Sequence, residues 1–427
     1  MTEAAPSSLI VRLNDYHVGS LARLPGNTMT FTFTQRYIDD QHRPTLSWGF
    51  YDAYGRLRTR QISSGLGNVP PFFSNLLPEG DLRRYVARRS GVGATDDFAM
   101  LWVTGDDLPG AVTLSDPHGR PLPPAADGGP NYDIPVGELL RFSLAGVQLK
   151  FSAIERAYGG LTIRANGRDG QWIVKLPSRH LDRVPENEYA MLRYAARVGI
   201  DIPEIRLVDS QAIGGLPEEA EALTGIALGI RRFDRLADGT RVHIEDFNQI
   251  YRQPPNEKYN NRSFASIAET IYQALGNEAL IDFIHRLVFN IGIANNDMHL
   301  KNWSFIYRDG RAPALAPAYD YVCTKAYLES SETGLPIGSA RYFAAVTIEQ
   351  FENLAVRARV SRNVVQRAAR DMVARMREAW RDVRDELPLE AMRETIEQQF
   401  RTVPLFNNGT AALRLGPARD VPHREVS

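Results

Sequence analysis

The octet NNDMHLKN, residues 295–302, follows directly on the apolar run DFIHRLVFNIGIA and gathers an acid, a histidine, a lysine and three asparagines. Asp297 and Asn302 have the D-x-x-x-x-N spacing of a kinase catalytic loop. In that chemistry the Asp accepts the proton of a substrate hydroxyl, while the Asn oxygen holds Mg2+. Lys301 adds positive charge near a transferring phosphoryl group. Downstream, WSFIY reads as a strand, RDGR as a turn, and ALAPAYD as a returning strand that ends at Asp320. A hairpin brings its open ends together, so Asn302 and Asp320 should be neighbours, two hard oxygen donors for one cation. The plainer reading is a polar loop capping a buried helix, with Asp297 and Asn302 serving turn geometry.

Two features elsewhere favour the chemical reading. Lys175 lies in QWIVKLP, flanked by apolar residues as a phosphate-gripping lysine under a cleft roof would be. Glu188, in the helix that follows, can pair with it, although a Glu in a first helical turn is ordinary. In FSLAGVQLKF, residues 142–151, the small residues Ser143, Ala145 and Gly146 precede a strand, so backbone could approach a phosphate closely. With one glycine this is a poor glycine-rich loop. GIRRFDR, residues 229–235, sits where β-rich sequence gives way to helical sequence and reads as a connector with a basic face. His285 and His299 lack zinc-ligand spacing, and no H-E-x-x-H is present. His299 therefore reads as a loop-orienting residue. The absence of G-x-S-x-G and G-x-x-x-x-G-K-[ST] argues against a serine hydrolase and a P-loop NTPase.

The elements that must position these groups follow from hydrophobic patterning. At 427 residues the chain exceeds one ordinary core. Its 43% hydrophobic and 24% charged residues describe a globular protein, and a net charge of −1 excludes a chain-wide nucleic-acid binder. The Arg83, Arg84, Arg88, Arg89 cluster reads as a solvated helix face. Cys323 is the single cysteine, so an intrachain disulfide is impossible and a reducing cytosol is the expected setting. The first residues lack a signal-peptide pattern, and no window has about 18 consecutive apolar residues, so no membrane span is expected.

SLIVRLN and TMTFTFT alternate like strands, TLSWGFYDAYGRLRT reads as strand, turn, strand, and EGDLRRYVARRSGV and DDFAMLWVTG as short helices. The expected organisation is an N-terminal α/β subdomain over 1–115 and a Pro/Gly linker over 116–135. A β-rich nucleotide-binding part over 136–228, a helical catalytic lobe over 229–406 and a loose tail over 407–427 follow. The fold class is α+β, two lobes around a cleft.

Taken in order, these segments resemble the HipA family of bacterial toxin kinases, nearly to residue 405. PPFFSNLLPEG and GAVTL resemble its N-terminal subdomain, FSLAGVQLK its phosphate-loop segment and IVKLP its nucleotide lysine. NEYAMLRYAARVGIDIPE, IRRFDR, IEDFNQIYRQPPNEKY, ANNDMHLKNWSF and PAYDY follow in the family's order. The resemblance implies a two-lobed protein-kinase-like fold and a serine/threonine kinase using ATP and Mg2+, the toxin of a type II toxin–antitoxin pair. Its partner would be a small helix-turn-helix, HipB-like antitoxin that carries it to operator DNA. Its substrate would be a protein, an aminoacyl-tRNA synthetase in the known cases, so that translation slows.

Carried over, Asp297 is the catalytic aspartate, and Asn302 and Asp320 hold Mg2+. Lys175 grips the phosphates beneath the loop Ala145, Gly146, Val147, Gln148, Leu149 and Lys150. Arg231, Arg232 and Phe233 meet the adenine, and His299, Leu300, Lys301 and Tyr319 complete the nucleotide site. Ser143 matches the autophosphorylated serine, whose modification expels the loop. Arg231 stands where some relatives carry an acid, and Leu149 where a Glu is common. Two other readings remain: a catalytically silent kinase-like protein that holds an antitoxin or DNA, and a small-molecule phosphotransferase of the aminoglycoside kind.

Overall fold

Alternating apolar residues build the first sheet of the computed structural model, which describes residues 6–65, 67–120, 122, 150–155, 161–163, 170–216, 220 and 222–407. Strands β1 (Ser8–Leu13), β2 (Tyr16–Leu24), β3 (Thr28–Phe33), β4 (Ile62–Ser64) and β5 (Val112–Ser115) pair in the order β4-β3-β2-β1-β5. Leu9, Val11 and Leu13 of β1 all point inward, as a period of two requires. They share a core with Phe72 and Phe73 of the Pro71–Ser74 helix and with Phe98 and Leu101 of the Asp97–Thr104 helix. Between these two lies the Gly80–Ser90 helix. The Asp96 side chain caps the Asp97–Thr104 helix by accepting from Ala99 N–H at 3.0 Å.

The segment TLSWGFYDAYGRLRT departs from the expected hairpin. It forms a short 3-10 turn at Trp48–Phe50, and only a Tyr51–Leu57 bridge survives of strand pairing. Its polar groups are engaged elsewhere. Ser47 Oγ donates to Glu245 Oε2 at 2.6 Å and Trp48 N–H to Glu245 Oε1 at 2.7 Å. The backbone docks so closely that a Cβ on Gly49 would stand 2.1 Å from the Ile250 carbonyl oxygen.

The second sheet comprises β6 (Lys150–Glu155), β7 (Leu161–Ile163), β8 (Trp172–Lys175), β9 (Ile205–Asp209) and β10 (Ile226–Arg231), antiparallel in the order β7-β6-β8-β10-β9. Lys175 lies in the central strand, in register with Lys150 on one side and Leu228 on the other. The Val184–Arg197 helix crosses beside this sheet, carrying Glu188.

A third, smaller sheet of β11 (His243–Asp246), β12 (Ser304–Tyr307) and β13 (Ala314–Leu315) sits on the helical lobe. The run 263–293 is two helices, Phe264–Leu275 and Asn277–Gly292, broken at Gly276. With the helices Glu352–Ala358, Arg362–Val383 and Glu390–Thr402 they enclose the largest core, which includes Leu287, Phe289, Met376 and Trp380. A hairpin of β14 (Glu332–Ile337) and β15 (Ala340–Tyr342) follows the site.

A buried ion network joins the first unit to the connector after β10. Arg232 Nε and Nη2 donate to the two oxygens of Asp234 at 2.9 and 2.8 Å, and Arg235 pairs with Asp234 and with Asp107, each at 2.9 Å. Gly110 N–H donates to Asp234 Oδ2 at 2.8 Å. At φ +74° Gly110 occupies left-handed space, and a Cβ there would lie 2.8 Å from the Ile244 nitrogen. Of the expected linker only 116–120 and 122 are described, and of the tail only Asn407. Among the described residues no helix is long and apolar enough to cross a membrane.

Candidate active site

The two lobes meet through Lys175. Its ammonium group donates to Glu188 Oε1 and Oε2 at 2.7 and 2.8 Å and forms a third bond to Asp320 Oδ1. All three of its donors are thus used. Burial opposes the charge on Lys175, but Asp320 and Glu188 outweigh it and hold the proton more firmly than usual. Burial likewise opposes ionisation of Asp320, yet Lys175 and then Lys150 bring its carboxyl down to about 2. Glu188, only 1% exposed, moves the other way because desolvation dominates. Lys150 is pulled down by burial and faces Asp320 and Lys175 across the same space.

Left-handed backbone marks both flanks of the site, with Ala294, just before the catalytic-loop candidate, at φ 55° and Asp320, after the β12–β13 hairpin, at φ 56°. An alanine there is strained and must be held by its surroundings. Thr324 Oγ1 donates to Ala294 O at 3.0 Å while accepting from Asn296 N–H at 2.7 Å. Asn295 ties the loop to the far residue: its Nδ2 donates to Asn290 Oδ1 at 2.7 Å and to the Asp320 carbonyl at 3.2 Å. Its Oδ1 accepts from Asp297 N–H at 3.1 Å. Asp297, 8% exposed, accepts a bond from the Tyr259 hydroxyl, and His299 Nε2 stands 3.9 Å from the same Oδ1. Both ring nitrogens of His299 are buried without a hydrogen-bond partner, and burial followed by nearby Lys258 keeps the ring neutral. An orphaned, uncharged imidazole beside the acid is free to meet an incoming ligand.

Asn302 donates from Nδ2 to the Asp297 carbonyl at 2.7 Å, which leaves its side-chain oxygen as the donor atom available to a cation. The hairpin β12–β13 is shorter than expected, and its pairing ends at Leu315, five residues before Asp320. The two ends are nevertheless tied, because Tyr319 Oη donates to the Lys301 carbonyl at 2.9 Å. One amide oxygen and one ionised carboxylate form a hard donor pair, which fits Mg2+ completed by phosphate oxygens. Among the described residues no group of three or more His, Cys, Asp or Glu is arranged for a metal.

Other expected contacts are placed differently. The Leu300 side chain is fully buried in the core, so only its backbone can reach a ligand. Arg232 is turned into the Asp234–Asp107 network, whereas Arg231 lies over the Trp172 ring and pairs with Glu204 at 3.4 Å. Phe233 packs toward Tyr319, ring centroids 5.9 Å apart. Ser143 and Ala145 to Leu149 lie outside the described residues. Lys301 points to Glu79 Oε1, 2.6 Å away, rather than to Asp320. Glu79, Tyr259 and Asn295 were not singled out from sequence. Glu79 reads as an ordinary acid at a helix start, and Tyr259 as the end of NEKY.

The fold and this cleft define a two-lobed kinase-like protein with an additional N-terminal unit. Family models of the HipA N-terminal domain and the HipA-like C-terminal domain match residues 9–115 and 142–380. "Putative kinase Y4dM" of Sinorhizobium fredii is 44% identical over 407 residues, covering 93% of this chain and 97% of that protein. "Putative kinase Y4mE" of the same organism is 29% identical over 391 residues, covering 85% and 88%. The HipA of Shewanella oneidensis, solved with HipB and its operator DNA, superposes with a TM-score of 0.68 at 21% identity, covering 93% of this chain and 96% of that one. The chain belongs to the HipA family.

Proposed function

We propose that the chain is an ATP- and Mg2+-dependent serine/threonine protein kinase. It would act as the toxin of a type II toxin–antitoxin pair, restrained by a HipB-like helix-turn-helix antitoxin that brings it to operator DNA. Its target would be a translation component such as an aminoacyl-tRNA synthetase, and Ser143 its own phosphoacceptor. The observation that carries this reading is the Lys175 ammonium group, held between Glu188 of one lobe and Asp320 of the other, a short way from the loop bearing Asp297.

In this role Lys175 binds the nucleotide's phosphates, and Glu188 keeps its amine aimed at them. Tyr259 and Asn295 hold Asp297 so that one carboxylate oxygen takes the proton of the acceptor hydroxyl, while the acceptor oxygen bonds to the terminal phosphorus of ATP, the bridging P–O bond breaks and ADP leaves. Mg2+ held by Asn302 and Asp320 would neutralise charge on the terminal phosphoryl group. Lys150, the backbone of 231–233, His299 and Tyr319 line the remaining nucleotide contacts in this proposal. The filled catalytic positions favour an enzyme over a silent binding protein.

The test is a single-turnover assay with labelled ATP, with and without Mg2+, using cell extract and mass spectrometry of labelled serines. Label should enter Ser143 and a cellular protein, and Asp297→Asn should slow transfer by about 10²–10⁴-fold. Full activity of Asp297→Asn removes that residue from its role. Label on sugars or antibiotics instead of protein would favour a small-molecule phosphotransferase.

A further inference from the structure

The N-terminal unit reaches the catalytic loop through the turn 75–79. Glu79 occupies the position before the Gly80–Ser90 helix, and its side chain makes no capping bond to that helix. Each of its oxygens instead meets a lysine of the other unit: Oε1 to Lys301 at 2.6 Å and Oε2 to Lys258 at 2.9 Å. Lys301 also donates to the Asn75 carbonyl at 3.2 Å, so the turn 75–79 grips it from two sides. That turn is itself anchored, because Asn75 Nδ2 donates to the Gln253 carbonyl at 2.8 Å and Asn248 Nδ2 to Asn75 Oδ1 at 2.9 Å.

Both lysines lead to reacting groups. The Lys258 carbonyl accepts from Leu300 N–H at 3.1 Å, and the next residue, Tyr259, supplies the hydroxyl bound to Asp297. The Lys301 carbonyl holds the Tyr319 hydroxyl, one residue before Asp320. Partial burial disfavours charge on Glu79, but Lys301 and then Lys258 override it and keep the carboxylate ionised far into acid.

We infer that Glu79 is a positioning residue for phosphoryl transfer: through Lys258 and Lys301 the N-terminal unit fixes the loop that presents Asp297 and Asn302. This rests on the kinase reading above. Without the carboxylate, two largely buried ammonium groups lose this counter-charge beside Lys150 and His299. The loop then relaxes while the cleft becomes more positive. Transfer should slow, and nucleotide binding should not weaken, a pairing that general loss of fold does not produce.

The test uses the full chain as wild type, Glu79→Gln and Glu79→Asp, with labelled ATP, comparing kcat and KM at equal folded concentration by circular dichroism. Glu79→Gln should lower kcat about 10- to 100-fold, the scale of small misplacements at a reacting centre. KM for ATP should stay level or fall, and Glu79→Asp, which keeps the charge on a shorter stem, should recover part of the rate. Wild-type kcat in folded Glu79→Gln, with only a lower melting temperature, would overturn the inference. If Glu79→Gln does not fold, Glu79→Asp decides: reduced kcat at level KM supports the role, and a wild-type rate overturns it. A wild type that transfers no phosphoryl group would sink both readings, whereas equal rates in all three proteins would sink this one alone.

Discussion

Two buried ion networks lie along the chain's unit boundaries, and they are built differently. Around Asp234, planar guanidinium groups make paired bonds, and backbone completes the set: Arg235 also donates to the Gly110 and Leu108 carbonyls at 2.8 and 2.9 Å. Around Asp320, an ammonium group and two carboxylates meet without any backbone donor to either acid among the bonds described. Guanidinium forks suit fixed geometry, while an ammonium is a point charge that can turn to a new partner. The first network therefore fastens two units together, and the second, in the kinase reading proposed above, would exchange partners when phosphates and a cation arrive.

Breaking the fastening should cost the most. Asp234→Ala leaves Arg232 and Arg235 buried with only Asp107 as an acid, and should destabilise the protein by about 3–5 kcal/mol. Denaturant unfolding reads this, while transfer by the molecules still folded should be unchanged; a loss of rate per folded molecule would mean the network serves the site. Lys175→Met is the converse. Single-turnover transfer should fall by about 10²–10³-fold, the scale for removing one preorganised charge from a reacting site. A wild-type rate would place the ammonium outside the reaction and erase the contrast.

The third case sharpens the comparison through pH. Glu245 is fully buried between the two units, and desolvation pushes its pKa up to about 7 despite bonds from Ser47, Trp48 and Tyr307. A carboxyl raised above its unfolded value contributes fully below about pH 4, and that contribution is lost as pH rises through 7. Glu245→Gln keeps the shape and removes the titration. It should flatten the stability–pH curve between about pH 4 and 7, where the wild type loses on the order of 3 kcal/mol. Parallel curves for the two proteins would show that Glu245 stays ionised throughout.

What the sequence disclosed follows the range of the forces involved. Strands β1 and β3 were legible because one face is buried and the alternation is local, whereas β2, YHVGSLARL, lacks a clean alternation and escaped notice. Lys175 was legible because apolar neighbours make a lysine conspicuous, and its pairing with Glu188 lies within one strand and the next helix. The segment at 45–59 misled because its polar groups answer to Glu245, about two hundred residues away. The commitment of the Arg232 side chain was hidden for the same reason, since a basic connector gives no sign of pairing with Asp234 and Asp107. Glu79 was invisible because an acid at a helix start needs no second explanation, and only the fold brings Lys258 and Lys301 to it.

Gly49 and Gly110 have no reactive atoms, yet each lets one unit's backbone lie directly on the other's. They act as the thickness of a shim. A single methyl would stand 2.1 Å from a carbonyl oxygen at Gly49 and 2.8 Å from a backbone nitrogen at Gly110, and would press the two bodies apart, lengthening the reach of Glu79 to its lysines. The alignment of the proposed reacting groups is thus gauged at positions whose contribution is the absence of a side chain.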